Sequence, residues 1–393
     1  MVITGLESFK YKFPEALKGK RIGIVCHAAS VDSSYIHIID LFKTFPCEIG
    51  AIFGPQHGLF GQTQDNMIEW DGDEKVKQAN EIPVFSLYGE NRKPTPEMLS
   101  HFDVLLVDLQ DVGSRPYTYI WTIKHCMEAT SEAKMPLWVL DRPNPIGRVM
   151  LDGAVLAPDH FTFVGGAEIP LCHRMTMGEM AKWVKKVYLP GADLTVVEMT
   201  GWQRDSLFNE TGLPWVIPSP NMPTLEAAIV YPGQVILECV NISEGRGTTT
   251  PFEMFGAPYI NRAAFRKAFE RQNIKGIFLR DHDFIPTFNK HHGILCGGFQ
   301  IHPTDLSVFE PVITTAAILK AAYEIAPNEF AWKLPPYEYE FDKPPVDIVA
   351  GDATLREWVE NGDNVEELRR IWAPKQNLFI DNFESIALYK ENL

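Results

Sequence analysis

The stretch EIGAIFGPQHGLFG (residues 48–61) decides how this chain is read. Its first half is a run of small and branched apolar residues, the texture of a strand covered on both faces. Its second half sets His57 among glycines directly after that run, so the histidine stands at the mouth of a sheet. The same grammar recurs twice. DVLLVDLQDVGSRPYTY (residues 103–119) ends an apolar run on Asp108, and PLWVLDRPNP (residues 136–145) ends another on Asp141. Three polar loops leaving three strands at one carboxyl edge is the place where open α/β sheets bind ligands.

Working outward, RIGIVC, EIGAIF, IPVFSL, DVLLVDL, PLWVLD and DLTVVEM supply strands between Arg21 and Met199, with helical segments between them. This alternation predicts an α/β fold: a Rossmann-like, mostly parallel sheet with helices on both faces. Thr95-Pro96 reads as a helix cap followed by proline in the first turn. Thr176-Met177-Gly178-Glu179 reads as a capping box, which makes Glu179 a cap rather than a catalyst. After Trp215 the texture changes to VIPSPNMPTLEAAIVYPG and SEGRGTTTPFEMFGAP, long Gly/Pro-rich loops of the kind that carry function. Beyond them LCGGFQIHPTD reads as strand into turn, FEPVITTAAILKAAYEIA as a helix, YEYEFDKPPVDIVAG as a strand region and LREWVENG as a helix. The expected organisation is a Rossmann-like domain over residues 1–230, a smaller α+β domain over 231–393, and an active-site cleft between them.

Composition narrows the function. A net charge of −15 argues against nucleic acid or anionic membrane as the main partner, since both demand a basic surface. The six cysteines are scattered without C-x-x-C or zinc-type spacing, and His291-His292 lacks a third ligand, so no metal is expected. The amino terminus has no apolar core of signal-peptide length, which reads as a cytoplasmic protein. There is no G-x-G-x-x-G after the first strand, no G-x-x-x-x-G-K-[ST] and no G-x-S-x-G, so neither a nucleotide cofactor nor the simplest serine hydrolase is expected.

What remains is carboxylates, amides, arginines and aromatics in glycine-rich loops. Asp108 and Asp111 flank Gln110 and precede Arg115, Tyr117 and Tyr119, while Asp141, Arg142 and Asn144 share one turn. An aspartate ending a strand is often only a turn cap, but capping does not call for arginine and aromatic rings beside each carboxylate. Carbohydrate sites use that mixture: planar groups for hydroxyls, rings for sugar faces, carboxylates for work on the glycosidic bond. Glu244, between Ser243 and Gly245, has Arg246 beside it and Asn241 and Glu253 nearby, and its bland alternative is a structural Glu–Arg pair. His57, Asp108, Asp111 and Glu244 are the catalytic candidates. Gln56, Asp65, Arg115, Tyr117, Tyr119, Asp141, Arg142, Asn144, His173, Asn221, Arg246 and Glu253 are the candidate substrate contacts.

In this order, FGPQHGLFG, SLYG, DLQDVGSRPYTYI, VLDRPNPIG, WVIPSPNMPT, YPG and SEGRGTTTPFE resemble the NamZ-type exo-β-N-acetylmuramidases. That glycoside hydrolase family was long catalogued as a domain of unknown function. The resemblance runs from about Gly23 to about Asp305. It implies a Rossmann-like amino-terminal domain, a smaller carboxyl-terminal domain, and removal of N-acetylmuramic acid from the non-reducing end of peptidoglycan fragments, a muropeptide substrate with no cofactor. Where the family pattern reads Pro-Glu-His-Gly, this chain has Pro55-Gln56-His57-Gly58, and an amide cannot exchange a proton or act as a carboxylate. Three readings stay open, in this order: another carboxylate among Asp65, Asp108, Asp111 and Glu244 supplies the acid; the chain acts on another sugar; or it binds muropeptides without cleaving them. An arginine among Arg115, Arg142 and Arg246 is expected to pair with the lactyl carboxylate of muramic acid.

Overall fold

The computed structural model describes residues 1–64 and 82–390. Six strands form one sheet: β1 (Arg21–Cys26), β2 (Glu48–Gly54), β3 (Val84–Ser86), β4 (Val104–Asp108), β5 (Leu137–Leu140) and β6 (Leu194–Val197). Their order is β3-β2-β1-β4-β5-β6, and every pairing is parallel. Strands β1 and β4 are buried almost without interruption because helices cover both faces, as continuous apolar runs require. Between β4 and β5 lies the helix Tyr119–Glu132, and between β5 and β6 the helix Met177–Val187, opened by the expected Thr176/Glu179 capping box. Thr95 likewise caps the short helix Pro96–Leu99.

The strand order reverses between β1 and β4, where doubly wound folds usually cradle a dinucleotide. Here the chain fills that crevice itself. The Nε2 of His27, just past β1, accepts the Gln110 N–H at 2.8 Å, so its protonated Nδ1 donates to the Pro218 carbonyl, 3.2 Å away. Tyr119 donates to the same carbonyl at 2.7 Å. The long loop that follows Trp215 is thereby tied across the top of the sheet, and the ligand region moves toward β2, β3 and the loop after β4.

The carboxyl-terminal part is built on a smaller antiparallel sheet of β7 (Met254–Ala257), β8 (Ile277–Phe284) and β9 (Cys296–Pro303), in the order β7-β9-β8. Against it pack the helices Arg262–Glu270 and Pro311–Ile325, the latter buried over its first twelve residues, Pro311 to Ala322. The helix Leu225–Gln234 runs across residue 230 and meets Pro311–Ile325 closely at Gly233, where a Cβ would stand 2.0 Å from the Pro311 carbonyl oxygen. One continuous apolar core includes residues of both sheets.

One expected element is different. The YEYEFDKPPVDIVAG region is not a strand: Tyr337 and Glu340 close a tight turn through reciprocal backbone hydrogen bonds of 2.9 Å, and Pro345–Ala350 is a helix. The Tyr/Glu alternation mimics the two-residue period of a strand, but Pro344 and Pro345 have no amide hydrogen to donate to a ladder. Both central residues of the turn have left-handed backbones, Glu338 at φ 47° and Tyr339 at φ 67°. A non-glycine residue there costs about 1–2 kcal/mol, so surrounding contacts must hold the turn in place.

Candidate active site

The carboxylates anticipated from sequence do not converge. Asp108 is fully buried in a two-pronged ion pair with Arg142, Nε to Oδ1 at 2.5 Å and Nη2 to Oδ2 at 2.8 Å, inside the filled crevice. Asp111 caps its own turn by accepting the Gly113 N–H at 2.7 Å, and His173 Nε2 stands 3.6 Å from the same oxygen. Burial pushes the Asp111 carboxyl up to about 7 and holds His173 neutral, with its imidazole lowered to about 3. Asp141 ties the Thr176 cap and the Tyr389 hydroxyl together, each at 2.8 Å. Asn144 bonds the Met175 carbonyl and the Ile146 N–H. Arg115 donates to three carbonyls, those of Ala154, Ile169 and Val349, all at 2.8 Å. Glu253 accepts from Thr224 at 2.7 Å. Each of these side chains is a fastening of the frame, and Asp65 lies outside the described residues.

Other predicted residues do meet, around a cleft with two parts. The deep part, about 30 Å³, is lined by Gln56, His57, Tyr117, Tyr119, Asn221 and Arg246, among others. The outer part, about 550 Å³, is lined by Glu244, Arg246, Lys290, Trp332 and Lys333, among others. Glu238, Arg246, Tyr337 and Glu338 belong to both. These volumes decide which part of the cleft has room for a small molecule. Room for roughly two waters exists in the deep part, at about 10–15 Å³ each, whereas the outer part falls in the range of ordinary ligand pockets, about 300–1,000 Å³. The four shared residues are therefore the floor on which a sugar in the outer cleft would rest.

The local sequence explains the walls. His57 adopts a left-handed backbone, φ 71°, with Gly58 following at φ 83°, and its Nδ1 donates to the Thr63 carbonyl at 2.8 Å. Tyr117, Tyr119, Tyr231 and Phe252 stack edge to face in a chain, with centroids 4.8–5.8 Å apart. Asn221 is held by the Gln64 carbonyl at 2.8 Å. Glu244 is an anchor: Lys290 Nζ lies 2.6 Å from one oxygen and Arg246 Nε 3.3 Å from the other, and the same ammonium reaches the carbonyls of Leu237, Val240 and Ile242. The bland reading of Glu244, a structural ion pair, thus describes its contacts.

Two carboxyl groups at the floor were not singled out from sequence. Glu338 accepts from the Tyr88 hydroxyl at 3.0 Å and from the Gln56 amide at 3.3 Å. Burial, reinforced by the charge of Glu238, pushes its carboxyl up to about 7. Burial acts on Glu238 in the same direction, but Arg246 at 2.6 Å, the Tyr337 hydroxyl at 2.8 Å and Lys290 outweigh it and hold Glu238 below the usual range. Two neighbouring acids with opposite protonation are what an acid–base pair requires. Tyr88, which follows β3, and Thr118, which follows β4, complete the set: Thr118 donates to the Gln56 carbonyl oxygen at 2.6 Å. Glu238 did leave a signal, as a lone carboxylate inside the apolar run VILECV (residues 235–240). Glu338 left little, because its alternating neighbours imitate a strand.

Among the described residues no group of three His, Cys, Asp or Glu could hold a metal ion, and no helix is long and apolar enough to cross a membrane. The doubly wound sheet, its smaller partner sheet and a cleft floored by two carboxyls, one raised and one lowered, define an α/β protein with the groups for acid–base work on a polar ligand. The comparisons give that class a family. The model of the amino-terminal part of exo-β-N-acetylmuramidase NamZ matches residues 22–226, and that of its carboxyl-terminal part matches residues 229–389. The peptidoglycan β-N-acetylmuramidase NamZ of Bacillus subtilis (strain 168) is 42% identical over 371 residues, 93% of this chain and 86% of that protein. The crystal structure of a DUF1343 family protein from Bacteroides fragilis superposes with a TM-score of 0.87 at 30% identity, covering 99% of both chains. A second such protein from that organism gives 0.77 at 28% identity, covering 100% of both. The chain belongs to the NamZ family.

Proposed function

We propose that this protein is an exo-acting glycosidase that releases N-acetylmuramic acid from the non-reducing end of peptidoglycan fragments. Membership of the NamZ family and the relative of that activity in Bacillus subtilis support the substrate. The observation that carries the chemistry is the pair Glu338 and Glu238, one carboxyl raised and one lowered, on the shared floor of a sugar-sized cleft. Glu338 gives its proton to the glycosidic oxygen as the bond to the anomeric carbon breaks. Glu238, kept ionised by Arg246, offers negative charge to the oxocarbenium-like centre that develops. Glu338, now a carboxylate, takes a proton from the water that completes hydrolysis.

Trp332, half-buried in the outer cleft with its Nε1 fixed on Glu360 at 2.9 Å, supplies a flat face for a sugar ring. Of the three candidate arginines only Arg246 lines the cleft. With Lys333, whose ammonium lies 5.4 Å from the Tyr337 ring centroid, it provides the positive charge for the lactyl carboxylate. We place the domain division near residue 230, with the cleft between the two parts, and the protein in a reducing cytoplasm, which suits six unpaired cysteines.

The test is hydrolysis of a chromogenic β-N-acetylmuramide by the purified protein and by Glu338→Gln. Turnover by the wild type, reduced about 10²–10⁴-fold in the variant, is expected for loss of a general acid. No release by a folded wild-type preparation removes the assigned activity, and full turnover by Glu338→Gln removes the assigned acid.

A further inference from the structure

Gln56 is buried, has no titratable proton, and touches the one carboxyl to which the reaction assigns a proton. Its amide has two ends, and the structure constrains both. The carbonyl oxygen receives the Thr118 hydroxyl at 2.6 Å, and the amino end faces Glu338 Oε1 at 3.3 Å and the Tyr88 hydroxyl at 3.3 Å. Thr118 can turn its hydroxyl to suit either end of the amide, but once Glu338 is ionised only the observed orientation sets an N–H donor against the carboxylate; the reverse would face it with a carbonyl oxygen, at a cost of about 1 kcal/mol or more.

We propose that Gln56 is the positioning residue for Glu338: clamped by Thr118, it aims an N–H donor at the carboxyl, fixes its direction toward the cleft, and sets no further acid in contact with it. This rests on the assignment of Glu338 as the acid. Among the described residues, the ionisable groups around Glu338 are Tyr88 from the segment after β3, Glu238 and Arg246 across the floor, Tyr231 from the helix Leu225–Gln234, His57 beside Gln56, Tyr337 in its own turn, and Glu244, Lys290 and Lys333 farther out in the cleft. The two carboxyls among them are both tied to cations, Glu238 to Arg246 and Glu244 to Arg246 and Lys290.

Replacing the amide by a carboxyl puts two acids in direct contact, and such a pair shares a proton and titrates in two coupled steps. The experiment follows Glu338 by carbon-13 NMR in full-length protein carrying glutamate labelled at the side-chain carboxyl, its resonance identified by disappearance in Glu338→Gln. This reads ionisation whether or not a variant turns over. In Gln56→Glu the upper titration is expected to move up by at least about one pH unit. In Thr118→Val, where the amide loses its clamp, Glu338 shifts in the same direction, and kcat falls roughly tenfold with KM unchanged. Thr118→Ser, which keeps the hydroxyl, restores the wild-type titration and rate. An unmoved Glu338 titration in both Gln56→Glu and Thr118→Val overturns the proposal. Full turnover by Glu338→Gln would instead overturn the acid assignment, so the two failures are told apart.

Discussion

Removing the charge of Asp108 will damage the fold and not the chemistry. The side chain is fully buried and holds Arg142 through contacts of 2.5 and 2.8 Å, while the same Nη2 also bonds the Val31 carbonyl at 2.9 Å. Asp108→Asn keeps the volume and one acceptor but leaves a guanidinium charge without its counterion in a water-poor crevice. Breaking one side of a buried pair costs about 3–5 kcal/mol, which exceeds half of the stability of a protein at the low end of the usual range of about 5–15 kcal/mol. With a urea dependence of roughly 3 kcal/mol per molar, the midpoint should fall by about 1 M or more. Asp108 does not line either part of the cleft, so kcat measured at low temperature on the folded fraction should stay within about twofold of wild type. The assay pairs urea unfolding followed by tryptophan fluorescence with turnover of the chromogenic muramide. An unchanged midpoint together with a kcat reduced a hundredfold would return Asp108 to the catalytic machinery and refute this reasoning.

Burial raises the Asp111 carboxyl from 3.8 to about 7, so between roughly pH 4 and 7 the unfolded chain has released a proton that the native protein still holds. Its contribution to stability therefore declines as pH rises through that window, at up to about 1.4 kcal/mol per pH unit; Asp111→Asn removes this slope and should gain on the wild type from pH 4 to 7 in a series of urea midpoints. A wild type and variant that stay parallel across the series would show that Asp111 is ionised in the native state. Trp332→Ala should raise KM roughly tenfold, the equivalent of about 1.4 kcal/mol, with kcat nearly unchanged, because a stacking face binds ground state and transition state alike. Steady-state kinetics checks it, and a loss confined to kcat contradicts the placement of the sugar in the outer cleft. The Arg92 guanidinium lies 4.5 Å from the Phe163 ring centroid and 4.3 Å from that of Tyr339, fastening the turn that carries Glu338. Arg92→Ala should cost about 1–2 kcal/mol in unfolding experiments and lower kcat several-fold, and an undiminished kcat would show that the turn needs no such fastening.

By itself the sequence determined the frame. The six parallel strands stand where the apolar runs placed them, because a strand covered on both faces must be apolar throughout and the run is visible without any partner. The Thr95 and Thr176 caps were legible for a similar reason, since a cap is satisfied within one turn of its own helix. Gln56, His57 and the tyrosines after β4, which line the deep part of the cleft, were also singled out, placed by strand ends that are themselves local features. Tertiary structure alone decided which acids face the cleft. Asp108 and Glu338 are the same kind of group in the linear text. One is neutralised by an arginine 34 residues away, while the other is carried on a strained turn 282 residues from the amide it meets. Whether a carboxyl becomes a strut or an acid depends on what surrounds it after folding, because burial and neighbouring charge set its protonation, and neither is a property of the residues beside it in the chain.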